Sequence, residues 1–289
     1  MTPELKPTQE QIDRSKVILS LADLKSSSEY LQALDSLAQI PTKQIGDGVA
    51  AISIPTPSKC LTDEEVMGII LFANHCFTRR MGFDGMSVLF SNNGALNLLM
   101  MDGEPTTFVG EKNYSDPFGN NIYYLDTAGT RPDMRGHGLG KTIGKYSLTN
   151  FIEDSQSSVV FLTRTQNPQM IAAARGITKD FTDLSPFWAK PSESLITSIN
   201  WTIQSGLIAR SRRPDSHFDA NESFIHWGVY GETGDGTTWE NMIKQLEGEL
   251  DWSTPTAQST LAYLEEHGSS LTEALGKGHA FILAGEILK

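Results

Sequence analysis

The segment from Tyr123 to Thr142 constrains the fold more than any other part of the chain. It begins with apolar and aromatic residues typical of a strand, passes through a turn with glycine at 136, 138 and 140, and continues as a helix. Glycines permit positive φ angles and leave backbone N–H groups uncovered. At the amino end of a helix such N–H groups bind anions, and Arg135 and Lys141 add positive charge. The segment therefore predicts a site for a phosphate-like group.

Two common phosphate-binding motifs do not fit this turn. The P-loop pattern GxxxxGK[ST], read back from Gly140-Lys141-Thr142, requires glycine at position 135, where the chain has arginine. The dinucleotide pattern GxGxxG requires glycine at 141 or 143, where the chain has lysine and isoleucine. A nucleotide hydrolase and a dinucleotide-dependent enzyme are both disfavoured for this reason.

Charge and composition exclude further classes. Of 289 residues, 23 are Lys or Arg and 35 are Asp or Glu, so the formal charge is −12. Proteins that bind duplex nucleic acid depend on clustered cations, and this balance argues against a nucleic-acid partner. The first residues contain no apolar signal segment, and no apolar run approaches the ~20 residues of a membrane span, which predicts a cytoplasmic protein without membrane contact. Cys60 and Cys76 are too few for a disulfide framework or a zinc cluster, and no metal is expected.

Periodicity and capping signals predict alternating helices and strands, which indicates a mixed α/β domain. The clearest start signal is Thr62-Asp63-Glu64-Glu65, a capping box that opens a helix predicted over 63–80. Asn92-Asn93-Gly94 predicts a hairpin between strands 86–90 and 95–101, followed by a polar loop containing Pro105, Pro117 and Gly119. The remaining predicted helices are a pair before Pro41 and segments at 141–153, 168–175, 193–207 and 239–250, and the remaining predicted strands are 49–54, 121–130, 158–163, 224–230 and 280–287.

The turn resembles the signature of the GNAT acyltransferase superfamily. Arg135-x-x-Gly138-x-Gly140 matches the R/Q-x-x-G-x-G/A pattern of that family, and Thr130 and Pro132 stand at the positions of its strand-ending residues. The apolar run 159–162 falls where the family has its next strand, and Asn167 falls where the family has the asparagine that opens the following helix. The resemblance covers about residues 46–180.

This resemblance implies an α/β (α+β) fold of the GNAT type, in which a mixed and mostly antiparallel sheet is flanked by helices. Residues 46–180 would form the core that binds acyl-CoA. Residues 1–45 would form an N-terminal helical extension, and residues 181–289 would complete the sheet and cover the acceptor side.

The resemblance also implies acetyl-CoA or a longer acyl-CoA as co-substrate. In the family the signature turn binds the CoA pyrophosphate through backbone N–H groups, and the preceding strand, here Ala128 to Thr130, hydrogen-bonds the pantetheine arm. A bulge in that strand would direct an N–H group at the thioester oxygen. Asn167 would contact the cofactor near pantetheine. The residues implied for the pyrophosphate cradle are Arg135, Gly136, His137, Gly138, Leu139, Gly140 and Lys141.

The implied reaction is direct attack of an amine on the thioester, which needs a base for the ammonium and an acid for the departing thiolate. Tyr124 and Asp126 alternate along the strand toward the site, and Asp126 is the candidate base or the anchor of a cationic amine. The helix after Asn167 lacks the tyrosine that many family members use as the acid. His75 and His226 are interpreted as structural histidines.

Two functions from different classes stay open at this point. The first is an N-acyltransferase acting on a primary amine of a small molecule or a peptide, and the acidic chain favours a cationic acceptor. The second is a GNAT-like module that binds acyl-CoA with little or no turnover and serves as a sensor or partner-binding protein. The N-terminal and C-terminal extensions would cover the acceptor cleft, widen the acyl channel or form a homodimer interface.

Overall fold

The protein is described from a computed structural model. The structure describes residues 8–11, 13, 28–56, 61–77, 94–165, 167–208, 217–221, 223–227, 251, 253–266, 268–270, 273–274 and 279–289.

Helices and strands are interspersed along the described residues. The helices are α1 (Ser28–Ala38), α2 (Asp63–Cys76), α3 (Leu139–Asp154), α4 (Pro168–Thr178), α5 (Glu193–Gln204) and α6 (Pro255–Glu266). The strands are β1 (Lys43–Gly46), β2 (Val49–Thr56), β3 (Gly94–Met101), β4 (Glu104–Ser115), β5 (Asn121–Thr130), β6 (Val159–Thr165), β7 (Ile225–His226) and β8 (Ala280–Ile287).

The eight strands are hydrogen-bonded neighbours in the order β1-β2-β3-β4-β5-β6-β8-β7. The pairs β1–β2, β2–β3, β3–β4, β6–β8 and β7–β8 are antiparallel. The closing strand predicted at 280–287 is present and lies between β6 and β7. The mixed, mostly antiparallel sheet with flanking helices that the GNAT resemblance implies is confirmed.

The chain divides into two compact units. The first comprises Met1–Asn113 and Leu125–Asn150, and the second comprises Tyr114–Tyr124 and Phe151–Lys289. Strands β4 and β5 and helix α3 each contribute residues to both units.

The core of the first unit lies between helix α2 and strands β2, β3 and β4. Phe72 of α2 meets Phe108 of β4 edge to face, with ring centroids 6.1 Å apart. Both rings are almost completely buried, and each contributes about 1.5–3 kcal/mol through removal of apolar surface from water. Their neighbours in this core include Leu37, Ile52, Ile54, Val66, Ile69, Ile70, Leu96, Leu98 and Met100.

Helix α2 begins as predicted and ends earlier than predicted. The Thr62 hydroxyl accepts a hydrogen bond from the Glu65 N–H at 3.2 Å, and the Glu65 carboxylate accepts one from the Thr62 N–H, which completes the capping box. The helix ends at Cys76 rather than at residue 80, because Phe77 is extended and packs its ring against Phe108 with centroids 5.7 Å apart. The first strand of the predicted hairpin, residues 86–90, lies outside the described residues.

The polar loop predicted after residue 101 is wrong, because residues 104–115 form the long strand β4. A hairpin turn at Asp102 and Gly103 joins β3 to β4, with φ of 51° and 83° at the two residues. Asp-Gly pairs favour such turns, in which both central residues have positive φ. Pro105 is tolerated in the strand because it lies at a register irregularity opposite Met100, where the regular ladder is interrupted.

The core of the second unit lies between helix α5 and strands β5, β6 and β8. The cap predicted at Ser192 is confirmed, because its hydroxyl accepts a hydrogen bond from the Leu195 N–H at 3.0 Å. Next to this core, the Asp116 carboxylate closes the β4–β5 loop by accepting hydrogen bonds from Phe118, Asn120 and Ser198. The core side chains include Ile122, Tyr124, Val160, Leu162, Leu195, Ile199, Phe224, Ile282 and Ala284.

Other predicted boundaries differ by a few residues. Strand β2 continues through Pro55 to Thr56, where it still faces β3, and α4 continues to Thr178. The strand predicted at 224–230 is seen as Ile225–His226, and the helix predicted at 239–250 lies outside the described residues. Within the described ranges, no helix combines the length and apolar character needed to cross a bilayer.

Replacing Thr62 tests the start of α2. We expect Thr62→Ala to lower the free energy of unfolding by about 1 kcal/mol, because the Glu65 N–H loses its side-chain acceptor. Urea denaturation measures the loss, and Thr62→Ser, which keeps the hydroxyl, is the control. Equal stability of the alanine variant and the parent protein would contradict the role of this cap.

Candidate functional site

The turn after β5 keeps its backbone open to solvent. Residues 132–134 form one 3-10 turn, and Gly136 and Gly138 follow with φ of 85° and 72°. Residues 135–138 are exposed, and a Cβ added at either glycine would meet no atom within 4 Å. Glycine is therefore required at these two positions by the positive φ angles, which other residues adopt only at a cost in free energy. It is not required by crowding around the side-chain position.

Helix α3 begins directly after this turn and presents its amino end there. The Thr142 N–H donates to the Gly138 carbonyl at 3.1 Å, which is the first hydrogen bond of the helix. The N–H groups of Leu139, Gly140 and Lys141 come before Thr142 in the chain and lie at the amino end of the helix. These N–H groups carry the positive end of the helix dipole. Lys141 and His137 are exposed beside them. The arrangement fits an anion, as the sequence predicts, and its chemistry suits a phosphate.

Arg135 holds the turn against the end of helix α2. Its Nη2 donates to the Cys76 carbonyl at 2.9 Å, and its Nε donates to the Thr130 carbonyl at 3.4 Å. The Cys76 carbonyl belongs to the last turn of α2, where the helix dipole favours a cation. The guanidinium thus binds two carbonyl groups of the protein, and the charge next to the exposed N–H groups comes from Lys141.

A second arginine fixes the start of the turn. Arg131 donates through Nη1 to Glu104 at 2.8 Å and through Nε and Nη2 to the two oxygens of Asp133 at 2.8 and 3.0 Å. Hydrogen bonds from Arg131 hold the pKa of Asp133 below its usual value. The bidentate contact sets the direction in which the chain leaves β5.

Strand β5 is irregular between Asp126 and Gly129. Phe108 and Lys112 are four residues apart on β4 and so face the same side of the sheet. Lys112 contacts Asp126, and Phe108 lies against Gly129, although Asp126 and Gly129 are three positions apart on β5. In a regular strand Asp126 and Gly129 would lie on opposite faces. Strand β5 therefore contains a bulge-like irregularity between them, which changes the direction of its backbone N–H and C=O groups.

Gly129 is required by close packing at this irregularity. A Cβ there would lie 2.6 Å from Phe108 Cε1 and 2.8 Å from Cys76 Cβ, which is too close for any larger residue. Cys76 is buried, and burial raises the pKa of its thiol, so the thiol stays protonated. Cys76 therefore acts here as a packing residue.

Asp126, the candidate base, forms a buried ion pair that the sequence analysis missed. Its Oδ2 lies 3.0 Å from Lys112 Nζ, and the exposed fractions of the two side chains are 11% and 7%. The contact has ion-pair distance but lacks the geometry of a directed hydrogen bond. The sequence predicts a polar loop around Lys112, and only recognition of β4 as a strand places this residue opposite Asp126.

A second buried polar group lies on the opposite face of β4. The Glu111 carboxylate accepts hydrogen bonds from Asn97 Nδ2 at 3.2 Å, from Asn113 Nδ2 at 3.1 Å and from the Ser147 hydroxyl. Asn97 also donates to Ser147 at 3.0 Å. Because Ser147 belongs to α3, this network ties the helix behind the turn to the sheet. Isolated polar residues give no sequence signal for such a network.

The structure places the predicted site residues in different units. Asp126, Ala128, Thr130 and residues 135–141 all belong to the first unit, and Thr130 shares a hydrogen bond with Thr107 at 3.2 Å. Tyr124 belongs to the second unit, where its side chain is buried in the core. Asn167 also belongs to the second unit and caps α4 by accepting a hydrogen bond from the Gln169 N–H at 2.9 Å.

His226 is a buried histidine of the second unit. It is 5% exposed, and burial, together with the charges of Arg164 and His217, lowers its pKa to about 3. The imidazole is therefore neutral at physiological pH. This environment agrees with the structural interpretation made from the sequence.

Comparisons with known proteins give structural likenesses only. No family model matches the chain, and no curated protein matches it. The ribosomal-protein-S18-alanine N-acetyltransferase from Escherichia coli aligns over 83% of this chain and 95% of its own, with 10% identity and a TM-score of 0.41.

Two further solved structures align over about half of the chain. Arabidopsis thaliana Naa50, in complex with the bisubstrate analogue CoA-Ac-MVNAL, aligns over 50% of this chain and 92% of its own, with 14% identity and a TM-score of 0.34. An aminoglycoside acetyltransferase from an uncultured soil metagenomic sample aligns over 52% of this chain and 100% of its own, with 9% identity and a TM-score of 0.36. The Escherichia coli protein and the soil metagenomic protein are named as acetyltransferases, the class that the sequence resemblance implies. Because the TM-scores are below 0.5 and the identities below 25%, the assignment of function rests on this chain's own residues.

The pKa of His226 predicts a specific loss of stability in acid. Below pH 6.5 the unfolded chain binds a proton at this histidine that the folded chain does not bind until about pH 3, so stability falls as the pH falls through this window. Between pH 7 and pH 5 we expect the parent protein to lose about 2 kcal/mol more than His226→Gln. Urea denaturation at both pH values measures this difference. Equal losses in the two proteins would show that His226 is protonated in the folded state.

Proposed function

We propose that the chain is an acyl-CoA-dependent N-acyltransferase of the GNAT type, with its acyl-CoA-binding core in residues 46–180. The observation that carries this proposal is the turn after β5. Two glycines with positive φ leave the amino end of α3 open, and two arginines hold this turn in place through protein carbonyl and carboxylate groups. A diphosphate fits such a site because it presents several oxygens to adjacent N–H groups.

The residues of the first unit fit acyl-CoA as co-substrate in two further respects. The backbone N–H groups of residues 136–141 and the Lys141 ammonium would hold the pyrophosphate. The strand from Ala128 to Thr130 would run along the pantetheine arm, and the irregularity before Gly129 would turn a backbone N–H toward the thioester oxygen.

The proposed reaction transfers an acyl group, by preference acetyl, to a primary amine of a small molecule or a peptide. The amine attacks the thioester carbon directly, and no acyl group is attached to the protein. With a formal charge of −12 the protein attracts cations at long range, which favours a positively charged acceptor.

A second candidate function is acyl-CoA binding with little or no turnover. It is favoured by helix α4, whose sequence PQMIAAARGIT contains no tyrosine to protonate the departing thiolate. The same turn would then serve a sensor or a partner-binding protein.

Replacing a glycine of the turn tests the CoA site. We expect Gly138→Ala to weaken CoA binding at least tenfold, a loss of about 1.4 kcal/mol, because alanine disfavours the φ of 72° on which the shape of the turn depends. Isothermal titration calorimetry with CoA measures the effect. Gly103→Ala is the matched control, because Gly103 has φ of 83°, has no atom within 4 Å of a Cβ position, and lies in the β3–β4 hairpin.

Two results would contradict the proposal: no heat of binding with CoA for the parent protein, or equal weakening by both substitutions. The two candidate functions separate in a second assay. Release of free thiol from acetyl-CoA in the presence of a panel of primary amines supports the transferase, and CoA binding without thiol release supports the sensor.

A further inference from the structure

We infer that Lys112 and Asp126 form a proton relay that replaces the missing tyrosine: Asp126 accepts a proton from the attacking amine, and Lys112 donates one to the departing thiolate. This inference rests on the proposed acyltransferase function. It assigns a chemical role to Lys112 and gives Asp126 a partner in the acid–base chemistry.

The first support is the physical cost of the pair. Both side chains are about nine-tenths buried, and removing two charges from water costs several kcal/mol per ion unless hydrogen bonds compensate. Here the Nζ···Oδ2 contact of 3.0 Å lacks directed hydrogen-bond geometry, and among the described residues Asp126 Oδ2 has no other hydrogen-bond donor. A well-packed apolar pair would stabilise the sheet at least as well. A buried pair of this kind is compatible with a role in proton transfer.

The second support is its location on the sheet. Asp126 lies two residues before Ala128, on the strand proposed to run along the pantetheine arm. Because of the irregularity in β5, Asp126 and Gly129 face the same side, toward Lys112 and Phe108. The ion pair therefore lies beside the part of β5 where the thioester is proposed to bind.

The third support is that the pair fits both proton transfers of the reaction. The acceptor ammonium first releases one proton to solvent. The neutral nitrogen then bonds to the thioester carbon, the C–S bond breaks, and its electron pair leaves with sulfur. The nitrogen gives one proton to Asp126, Lys112 gives one ammonium proton to sulfur, and Asp126 returns its proton to Lys112 across the 3.0 Å contact. The products are an amide and the CoA thiol, and both side chains regain their starting states.

The Lys112→Arg substitution separates proton donation from charge. Arginine keeps the positive partner of Asp126 but does not release its proton in proteins. We expect kcat for acetyl transfer to fall ~100-fold or more while the Kd for CoA changes less than twofold. Lys43→Arg, the same exchange at an exposed residue of β1, is the control and should leave kcat unchanged. Thermal unfolding and calorimetry with CoA accompany each variant.

The double variant Lys112→Gln with Asp126→Asn decides the matter if the arginine variant does not fold. It replaces the ion pair by a neutral pair of nearly the same volume and leaves no isolated buried charge. We expect this variant to bind CoA like the parent and to lose kcat to the same extent. A full kcat in either folded variant overturns the relay, while failure of the parent protein to bind CoA overturns the proposed function instead.

Discussion

The contact between the end of helix α2 and strand β5 determines the position of the candidate site. Cys76 takes part in this contact twice: its side chain packs against Gly129, and its carbonyl accepts a hydrogen bond from Arg135. The first interaction requires glycine in the strand, because a Cβ would lie 2.8 Å from Cys76 Cβ. The second ties the turn to the same helix end. Strand and turn are thus positioned by one residue of α2, and the capping box at Thr62 fixes where that helix begins.

The charges of the site are divided between support and binding. Arg131 and Arg135 are bound to protein oxygens and hold the turn, so the exposed helix end supplies the attraction for an anion together with Lys141. The buried carboxylates of Glu111 on β4 and Asp126 on β5 also differ in the partners that they contact. Within the part of the chain that the structure describes, Glu111 receives hydrogen bonds from Asn97, Asn113 and Ser147 and so links the sheet to α3, whereas the contact of Asp126 is with the Lys112 ammonium group. This difference in hydrogen bonding is the reason for assigning proton transfer to Asp126 and a structural role to Glu111.

Local signals predicted most of the regular elements. The strand 121–130 and the strand 280–287 were predicted with their observed bounds, and the caps at Thr62 and Ser192 were predicted from the sequence. Strand β4 was missed because Pro105 and several polar residues indicate a loop. The Asp102-Gly103 pair was a usable signal for the preceding turn. The proline is accommodated by a register irregularity with β3, which depends on the partner strand and cannot be read from β4 alone.

The sequence by itself determined the strand–turn–helix at residues 121–154 and the need for glycine in its turn, because φ preferences and helix polarity are properties of neighbouring residues. It also determined that α4 has no tyrosine. Only the tertiary structure decided the partners of the charged side chains: Arg135 with the end of α2, Arg131 with Glu104, and Lys112 with Asp126. These pairs join residues 14 to 59 positions apart, and their formation depends on strand register and burial, which only the packed sheet establishes.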